Sequence, residues 1–376
     1  MERYGEIVRE TARKLFNEDK IDLFIGFCAG TEPFTSRPCF VRAPAETDGG
    51  GAEMMDWSSE DSGGATAQAA VETAARVDST AWATVEDLTF DSFSANNLAV
   101  YLPKLYEKNP HVRKGQEKPV PRVGIAVKGC DMRSVIALVR ELQVPRDKVI
   151  LVGVPCTGMI DRKKARRVLD VKSSPIREVS VEGDAVKALL ADGSTAEISK
   201  DEVLQDACLE CVYPLPEGAD ILLEGEARKP SESPRRGIDE FEAMTPEQRW
   251  SYFESEISRC IRCNACRQAC PTCYCKVCFA EQSDLKWIGV STDLSDTMMF
   301  HLIRIFHQAG RCVECDACYR ACPMNIDLRT FTKKMAKDVQ ELFGYIPDFD
   351  PEATPPLSTF TEKDAEDFIT DPDKRS

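Results

Sequence analysis

The chain has 376 residues, enough for two or three domains, and 43% of them are hydrophobic, which supports an ordinary globular core. A net charge of −15 argues against nucleic acid or an anionic membrane surface as partner and suits a protein that docks with other proteins. No apolar run reaches the roughly 18 residues that a membrane span needs, and the first residues lack a signal-peptide pattern, so the expectation is a cytoplasmic protein without a membrane span.

Residues 1–118 read as an N-terminal α/β region. A helix is predicted over 4–17, with Ile7, Val8, Ala12, Leu15 and Phe16 on one side, and a strand from Ile21 to Phe27. Residues 45–70, rich in Gly, Ser, Ala and acid, read as a loop or flexible insertion. Gly63-Gly64-Ala65-Thr66 within it is only a weak phosphate-binding signal, and a flexible loop is the preferred reading.

Residues 119–230 read as a second α/β domain. Val123 to Val127 is a buried-strand pattern. Val135, Ile136, Leu138, Val139 and Leu142 mark a helix that stops before Pro145, and Val149 to Val154 is a second buried strand. A short helical crossover implies parallel neighbours and a right-handed connection. Both strands then end at one edge of the sheet, with Cys130 just past the first and Cys156 just past the second. Open α/β sheets place their ligands at that edge. A hairpin follows, from Ile176 to Leu190 with a turn at Glu182-Gly183-Asp184. Beyond it come Cys208-x2-Cys211, the apolar Ile221-Leu222-Leu223, and a linker over 228–237.

Residues 238–345 read as a helix-rich domain. Thr245-Pro246-Glu247-Gln248 is a helix start, with Thr as N-cap, Pro at the first position and Gln at the third. Trp250, Phe253, Ile257 and Ile261 line one face of that helix. A second helix over 296–309 is expected to turn Met299, Leu302, Ile305, Phe306 and Ala309 inward. A third, from Asp327 to Phe343, turns in Leu328, Phe331, Met335, Val339 and Leu342, with Gly344 as C-cap. Residues 346–376 form an acidic tail, read as an extended arm or a disordered one.

Two copies of one spacing dominate this last domain: Cys260-x2-Cys263-x2-Cys266-x3-Cys270-Pro271 and Cys312-x2-Cys315-x2-Cys318-x3-Cys322-Pro323. This is the bacterial ferredoxin run, whose thiolates hold 4Fe–4S clusters. The chain has 17 cysteines, yet its length, its lack of an export signal and its Cys-x2-Cys groups favour metal ligation in a reducing compartment over disulfides. Structural zinc takes ligands as separated pairs, sometimes with His. Here each run offers four thiols within eleven positions and the three His residues lie outside both.

In two-cluster ferredoxins the fourth Cys of each run ligates the other cluster. One cluster is then expected on Cys260, Cys263, Cys266 and Cys322, and the other on Cys312, Cys315, Cys318 and Cys270. Cys130, Cys156, Cys208 and Cys211 form a candidate third 4Fe–4S site, against the alternative of small buried hydrophobes. Cys273, Cys275 and Cys278 follow the first run at once, and packing beside the ligands and ligation of a further cluster both stay open. Cys28 and Cys39 carry no motif and are expected in the core. His111, His301 and His307 read as packing residues, with hydrogen bonding that tunes a cluster as the alternative for the last two. No Gly-x-Gly-x-x-Gly follows a strand, so no standard NAD site is visible.

Lys128-Gly129-Cys130-Asp131-x-Arg133-Ser134, Gly153-Val154-Pro155-Cys156 and Cys208-x2-Cys211 with Ala219-Asp220-Ile221 resemble the beta-subunit family of deazaflavin (coenzyme F-420)-reducing hydrogenase and deazaflavin-dependent formate dehydrogenase. Residues 269–278 and 301–312 are similar to the ferredoxin part of the longer formate-dehydrogenase-type members. The resemblance covers roughly 120–330. It implies a flavin-linked electron-input subunit, with FAD parting a hydride into single electrons, and Gly129, Asp131 and Arg133 as cofactor-contacting positions. It also implies partners of the formate dehydrogenase, hydrogenase or heterodisulfide-reductase type in an anaerobe. The first hundred residues depart from the family's pattern.

The expectation is thus an α/β (α+β) chain: an α/β domain with a parallel-strand unit, then a helix-rich dicluster ferredoxin-like domain. Its function is that of an iron–sulfur electron-transfer subunit of an oxidoreductase complex. A self-sufficient flavin iron–sulfur oxidoreductase and a zinc-stabilised interaction scaffold are the alternatives.

Overall fold

The computed structural model of the chain describes residues 2–43, 82–107, 120–169 and 175–356. The insertion expected at 45–70, with Gly63 to Thr66, lies outside the described residues, as do His111 and the tail beyond 356. In chain order the strands are β1 (Leu23–Ala29), β2 (Ser36–Arg42), β3 (Leu88–Thr89), β4 (Val123–Val127), β5 (Val149–Gly153), β6 (Ile176–Glu182), β7 (Ala185–Leu190), β8 (Thr195–Ser199) and β9 (Ile221–Leu222). The helices that matter below are α1 (Glu2–Asn17), α2 (Gly129–Arg140), α3 (Arg162–Val168), α4 (Asp206–Leu209), α5 (Pro246–Ile257), α6 (Ala265–Gln268), α7 (Leu294–His307), α8 (Ala317–Ala321) and α9 (Leu328–Phe343).

One sheet runs β2-β1-β4-β5-β9, with β3 added beside β1. β1, β4, β5 and β9 are mutually parallel neighbours, and β2 and β3 pair antiparallel to β1. The sheet therefore takes strands from both sides of residue 118, and the two expected α/β regions share one core. β4 is buried along its whole length, as a strand covered on both faces must be. Phe24, Phe27, Ile125 and Leu151 are fully buried in this core, each stabilising the fold by about 1.5–3 kcal/mol. From α1, Val8, Ala12 and Leu15 join them, the face read from the periodicity.

α2 begins at Gly129, six residues earlier than the apolar pattern suggested, because the Asp131 carboxylate accepts the backbone N–H of Lys128 at 3.1 Å and caps the turn. Cys130, just past β4 as expected, therefore sits on the first turn of a helix. β6, β7 and β8 form a separate antiparallel sheet. Its β8, Thr-Ala-Glu-Ile-Ser, exposes every second residue and has no apolar run to announce it. That sheet shares a small core with Ile160, Ala165 of α3, and Val203.

In the helix-rich part the capping box of α5 forms as read, with the Gln248 N–H donating to Thr245 Oγ1 and the Thr245 N–H to Gln248 Oε1. Phe253 and Ile257 of its expected face are buried, but Trp250 and Ile261 are exposed. α7 is rotated from the expectation: Phe300, His301, Arg304 and Ile305 are buried, while Met299 and Phe306 face solvent. The reason is that the inner side of α7 is shared: Phe300 and Ile305 join the apolar cluster, while His301 and Gln308 turn polar atoms to cysteine sulfurs. α9 buries Leu328, Phe331 and Val339 and ends on Gly344 at φ +62°, but Leu342 is exposed.

The tail follows the extended-arm reading over 346–356, and one pair of thiols departs from expectation. Residues 346–356 are an ordered arm laid on the α/β domain. Arg133 donates to the Pro347 carbonyl, Arg140 pairs with Asp348, and Phe349 packs edge-on against Tyr213 at 5.6 Å. Cys28 and Cys39 are buried as expected, but they form a disulfide across β1 and β2.

Candidate metal centres

Three of the thiols expected on the first cluster, Cys260, Cys263 and Cys266, line one small cavity together with Cys322 from the second run. Ile261, Asn264, Phe300, His301 and Met324 complete its walls. The chain reaches this arrangement by an unusual local backbone. Arg262 and Asn264 in the first run take φ of +53° and +59°, and Glu314 and Asp316, at the equivalent places in the second, take +57° and +58°. Left-handed backbone at a side-chain-bearing residue costs about 1–2 kcal/mol and persists only where its surroundings hold it. Here it wraps each Cys-x2-Cys loop around its own sulfurs, so the repeat in sequence is a repeat in conformation.

The second run has the reciprocal relation to Cys270. Burial raises Cys312, Cys315 and Cys318, the last to about 12, and the charge of Cys270 adds to the rise of all three. Cys260 and Cys266 are likewise raised by burial, with Cys322 among the neighbours that push them further. The fourth Cys of each run therefore lies with the first three of the other.

At the sheet edge, Cys130 on α2, Cys156 past β5, and Cys208 and Cys211 around α4 come together from three places in the chain. Burial lifts Cys156 to about 11, Cys208 to about 12 and Cys130 well above its ordinary value. Cys156 acts on Cys130 and Cys208, and Cys211 acts on Cys156 and Cys208. Cys130 also feels Cys315, so this third group abuts the second run.

A buried thiol raised this far ionises only beside a cation. The sulfurs are nonetheless built as acceptors. The backbone N–H two residues on donates to Cys156, Cys211, Cys260, Cys270, Cys312 and Cys315, and the Met159 N–H donates to Cys208 at 3.3 Å. Donors aimed at sulfur, with thiols in sets of four, fit a cationic cluster of iron. Among the described residues no three His, Cys, Asp or Glu side chains converge tightly enough for a single metal ion.

Several polar residues complete the sites: His301, for which hydrogen bonding to a cluster is the alternative reading of the sequence, and Gln308, Arg304 and Arg320, which the sequence reading passed over. His301 sits 3.3 Å from Cys260 Sγ, and burial drops its pKa to about 3, so the ring is neutral. Gln308 reaches Cys273 Sγ at 3.2 Å and Cys270 Sγ at 3.6 Å. Arg304 lies buried between them, with its Nη2 donating to the Cys266 carbonyl at 3.0 Å. Residues 301, 304 and 308 recur at helical spacing, a polar stripe that could have been read from the sequence had apolar periodicity not been the only guide. Arg320 plays the corresponding part between the second run and the sheet edge, donating to the carbonyls of Cys315 at 2.6 Å and Ala95 at 2.9 Å. His307 is exposed and packs on Phe279, away from the sulfurs.

Cys273, Cys275 and Cys278 do not converge. Cys273 hydrogen-bonds Cys270, and that bond, with Arg304 and Thr272, holds the Cys270 thiol below its ordinary range despite burial. Cys275 is exposed and Cys278 is buried among apolar residues.

Gly129, Asp131 and Arg133 are all engaged within the protein. A side chain at Gly129 would meet the Tyr213 carbonyl oxygen at 1.8 Å. Asp131 is fully buried in an ion pair with Lys128 at 2.7 Å, and the Lys128 ammonium lies over the Phe27 ring at 4.9 Å. Arg133 donates to the carbonyls of Val313 and Pro347 at 3.0 and 2.5 Å. These three positions tie the Cys130 turn to its surroundings.

Residues 120–229 match the family described as the C terminus of the Coenzyme F420 hydrogenase/dehydrogenase beta subunit. The chain is similar to the F420-dependent formate dehydrogenase subunit beta of Methanocaldococcus jannaschii, at 23% identity over 290 residues, covering 63% of this chain and 76% of that one. It is 24% identical over 295 residues to the F420-dependent formate dehydrogenase 1 subunit beta of Methanococcus maripaludis, covering 63% and 75%. Among solved structures, the F420-reducing NiFe hydrogenase complex from Methanosarcina barkeri matches with a TM-score of 0.33 and 14% identity, over 57% of this chain and 60% of that chain. Among the described residues no helix is long and apolar enough to cross a membrane.

Proposed function

We propose that this chain, whose residues 120–229 match the C-terminal part of the F420 hydrogenase/dehydrogenase beta-subunit family, is the iron–sulfur electron-transfer subunit of an oxidoreductase complex. Three sets of thiols would hold the clusters: Cys130, Cys156, Cys208 and Cys211; Cys270, Cys312, Cys315 and Cys318; and Cys260, Cys263, Cys266 and Cys322. When bound, 4Fe–4S clusters carry one electron at a time.

The observation that carries this reading is the cavity that gathers Cys322 with the first three cysteines of the other run. The adjacency of Cys130 to Cys315 and of Arg304 to both Cys266 and Cys318 supports three sites in series. The sheet-edge site is one end and the Cys260 site, with its exposed Cys263, is the other. The protein's part is to hold each set of sulfurs, bury it, and supply N–H donors and buried arginines that favour the thiolate form.

A hydride donor delivers electrons in pairs, so a flavin is needed ahead of one-electron carriers. A reduced deazaflavin as donor and a formate dehydrogenase partner complete the proposal by analogy with the relatives' named activity; FAD, a hydrogenase as the other partner class and an anaerobic cytoplasm are carried over from the family resemblance of the sequence motifs. The test is anaerobic mixing of the loaded, flavin-supplemented chain with reduced coenzyme F420. Bleaching of the broad visible absorbance is expected. If dithionite bleaches the protein but the reduced coenzyme does not, that donor is wrong. Separately, Cys322→Ala should remove the signal of the site on Cys260 and spare that on Cys312; the reverse pattern would sink the crossed assignment.

A further inference from the structure

We propose that Arg304 is a shared charge for two neighbouring cluster sites, holding up the reduction potentials of both from one buried position on α7. The inference rests on reading the two crossed thiol sets as cluster sites and goes further by assigning a role to a residue outside every metal-binding motif.

The argument begins with the face that α7 turns inward. His301, Arg304 and Gln308 lie on one stripe of the helix. One end of the stripe touches the first site, at Cys260 Sγ. The other end touches the second, at Cys270 Sγ, beside Thr272 and Cys273. Arg304 stands between the ends, 4% exposed. Of its guanidinium nitrogens, Nη2 donates to the Cys266 carbonyl, whereas Nε and Nη1 are buried with no acceptor. Native proteins rarely leave N–H groups of a buried cation unmatched, because the desolvated donors and charge have no compensation.

Burial opposes the charge on Arg304, and the neighbouring thiols that favour it are, strongest first, Cys273 beside the second site, Cys266 of the first, and Cys318 and Cys270 of the second. A guanidinium amid neutral thiols would be uncompensated. Amid thiolates from both sites it is matched, and thiolate is the form that ligates iron. The two free N–H groups are then available to sulfur on either side.

A fixed cation within reach of two redox sites favours the more negative, reduced state of each. Cluster potentials respond to net charge and to hydrogen bonds at sulfur, and low-dielectric surroundings strengthen both effects. Removing the charge must therefore lower both midpoints together, while the site at Cys130, on the far side of the second run, moves less.

The experiment is a potentiometric titration of the full, anaerobically loaded chain, followed by low-temperature electron paramagnetic resonance, for the unaltered protein, Arg304→Gln and Arg304→Lys. Arg304→Gln should shift the reduction equilibria of both ferredoxin-type sites at least tenfold toward the oxidised form, a drop of ~59 mV or more for one electron. Arg304→Lys, which keeps the charge, should retain most of both midpoints. Midpoints in Arg304→Gln within ~15 mV of the original, less than a twofold change, would overturn the proposal. So would a shift at one site alone, or an equal shift in both variants. If Arg304→Gln loses its clusters while Arg304→Lys keeps them, the charge requirement stands. Loss from both marks Arg304 as a packing residue and overturns it. Failure of the underlying cluster assignment would appear earlier, as missing iron and sulfide in the unaltered chain.

Discussion

Glu210 lies between Cys208 and Cys211 and joins the sheet-edge site to the helix-rich part of the chain. Its carboxylate pairs with Lys333 at 2.5 Å and Arg329 at 3.1 Å, both on α9. All three side chains are about nine-tenths buried. Removing one partner of a buried pair costs about 3–5 kcal/mol. Arg329 keeps Asp206 and Asp316 as partners in Glu210→Ala, and Lys333 keeps the Arg236 carbonyl. The lower end of that range, about 3 kcal/mol, is therefore expected. At about 1.4 kcal/mol per factor of ten, separation of α9 from the Cys208–Cys211 loop becomes roughly a hundredfold more frequent. Amide hydrogen exchange along 206–213 and 329–336 reads this directly, with Glu210→Gln as the variant that removes the charge and keeps the size. Exchange less than about threefold faster in both segments, equivalent to well under 1 kcal/mol, would refute the idea that this ion-pair cluster fastens the two parts.

Three other outcomes follow from the same geometry. Arg140→Ala should free the 346–356 arm, because it removes the pair with Asp348 and the bonds to the Asp350 carbonyl and, at 2.7 Å, the Tyr345 hydroxyl; limited proteolysis within the arm should accelerate while the sheet stays protected. Gly129→Ala should lower thermal stability by about 3 kcal/mol, although alanine suits a helix better by about 1 kcal/mol, since its methyl would strike the Tyr213 carbonyl; equal or improved stability would show that the α2 turn can shift. Asp327 caps α9 and its carboxyl is held below its ordinary value: burial alone would raise it, but Thr330 and Tyr252 outweigh that. Its contribution is whole above the unfolded value near 3.9 and is lost as pH falls through the lowered folded value. Protection of the first turn of α9 in the unaltered chain should therefore exceed that in Asp327→Asn above about pH 5 and converge with it in acid, whereas a gap unchanged down to pH 2 would contradict the assignment.

The parts legible in the sequence were those where local pattern and tertiary role agree. β4 and β5 carry unbroken apolar runs because both faces are covered, and their parallel pairing follows from the short crossover between them. The capping box of α5 and the glycine stop of α9 are local chemistry and appear where read. The grouping of Cys130 with Cys156 at one edge followed from topology alone. Misreadings occurred where a helix faces sulfur as well as hydrocarbon. Apolar periodicity placed Phe306 and Met299 inward on α7, yet His301 and Gln308, which reach cysteine sulfurs, and Arg304, which donates to the Cys266 carbonyl, share the inner side with Phe300 and Ile305. The docked arm was illegible because its acidic composition describes a solvated tail equally well. Arg133 and Arg140, far away in sequence, are what hold it. The Cys28–Cys39 bridge depends on strand register between β1 and β2, which the spacing of two isolated cysteines does not encode.

The central claim is that twelve cysteines form three cluster sites in series. The direct measurement is iron, acid-labile sulfide, zinc and flavin per chain after anaerobic purification with any bound partners retained. The account predicts about 12 iron and about 12 sulfide per chain, four of each per cluster, with negligible zinc. About 8 of each would remove the sheet-edge site from the series, and a colourless protein carrying zinc would contradict the electron-transfer reading altogether.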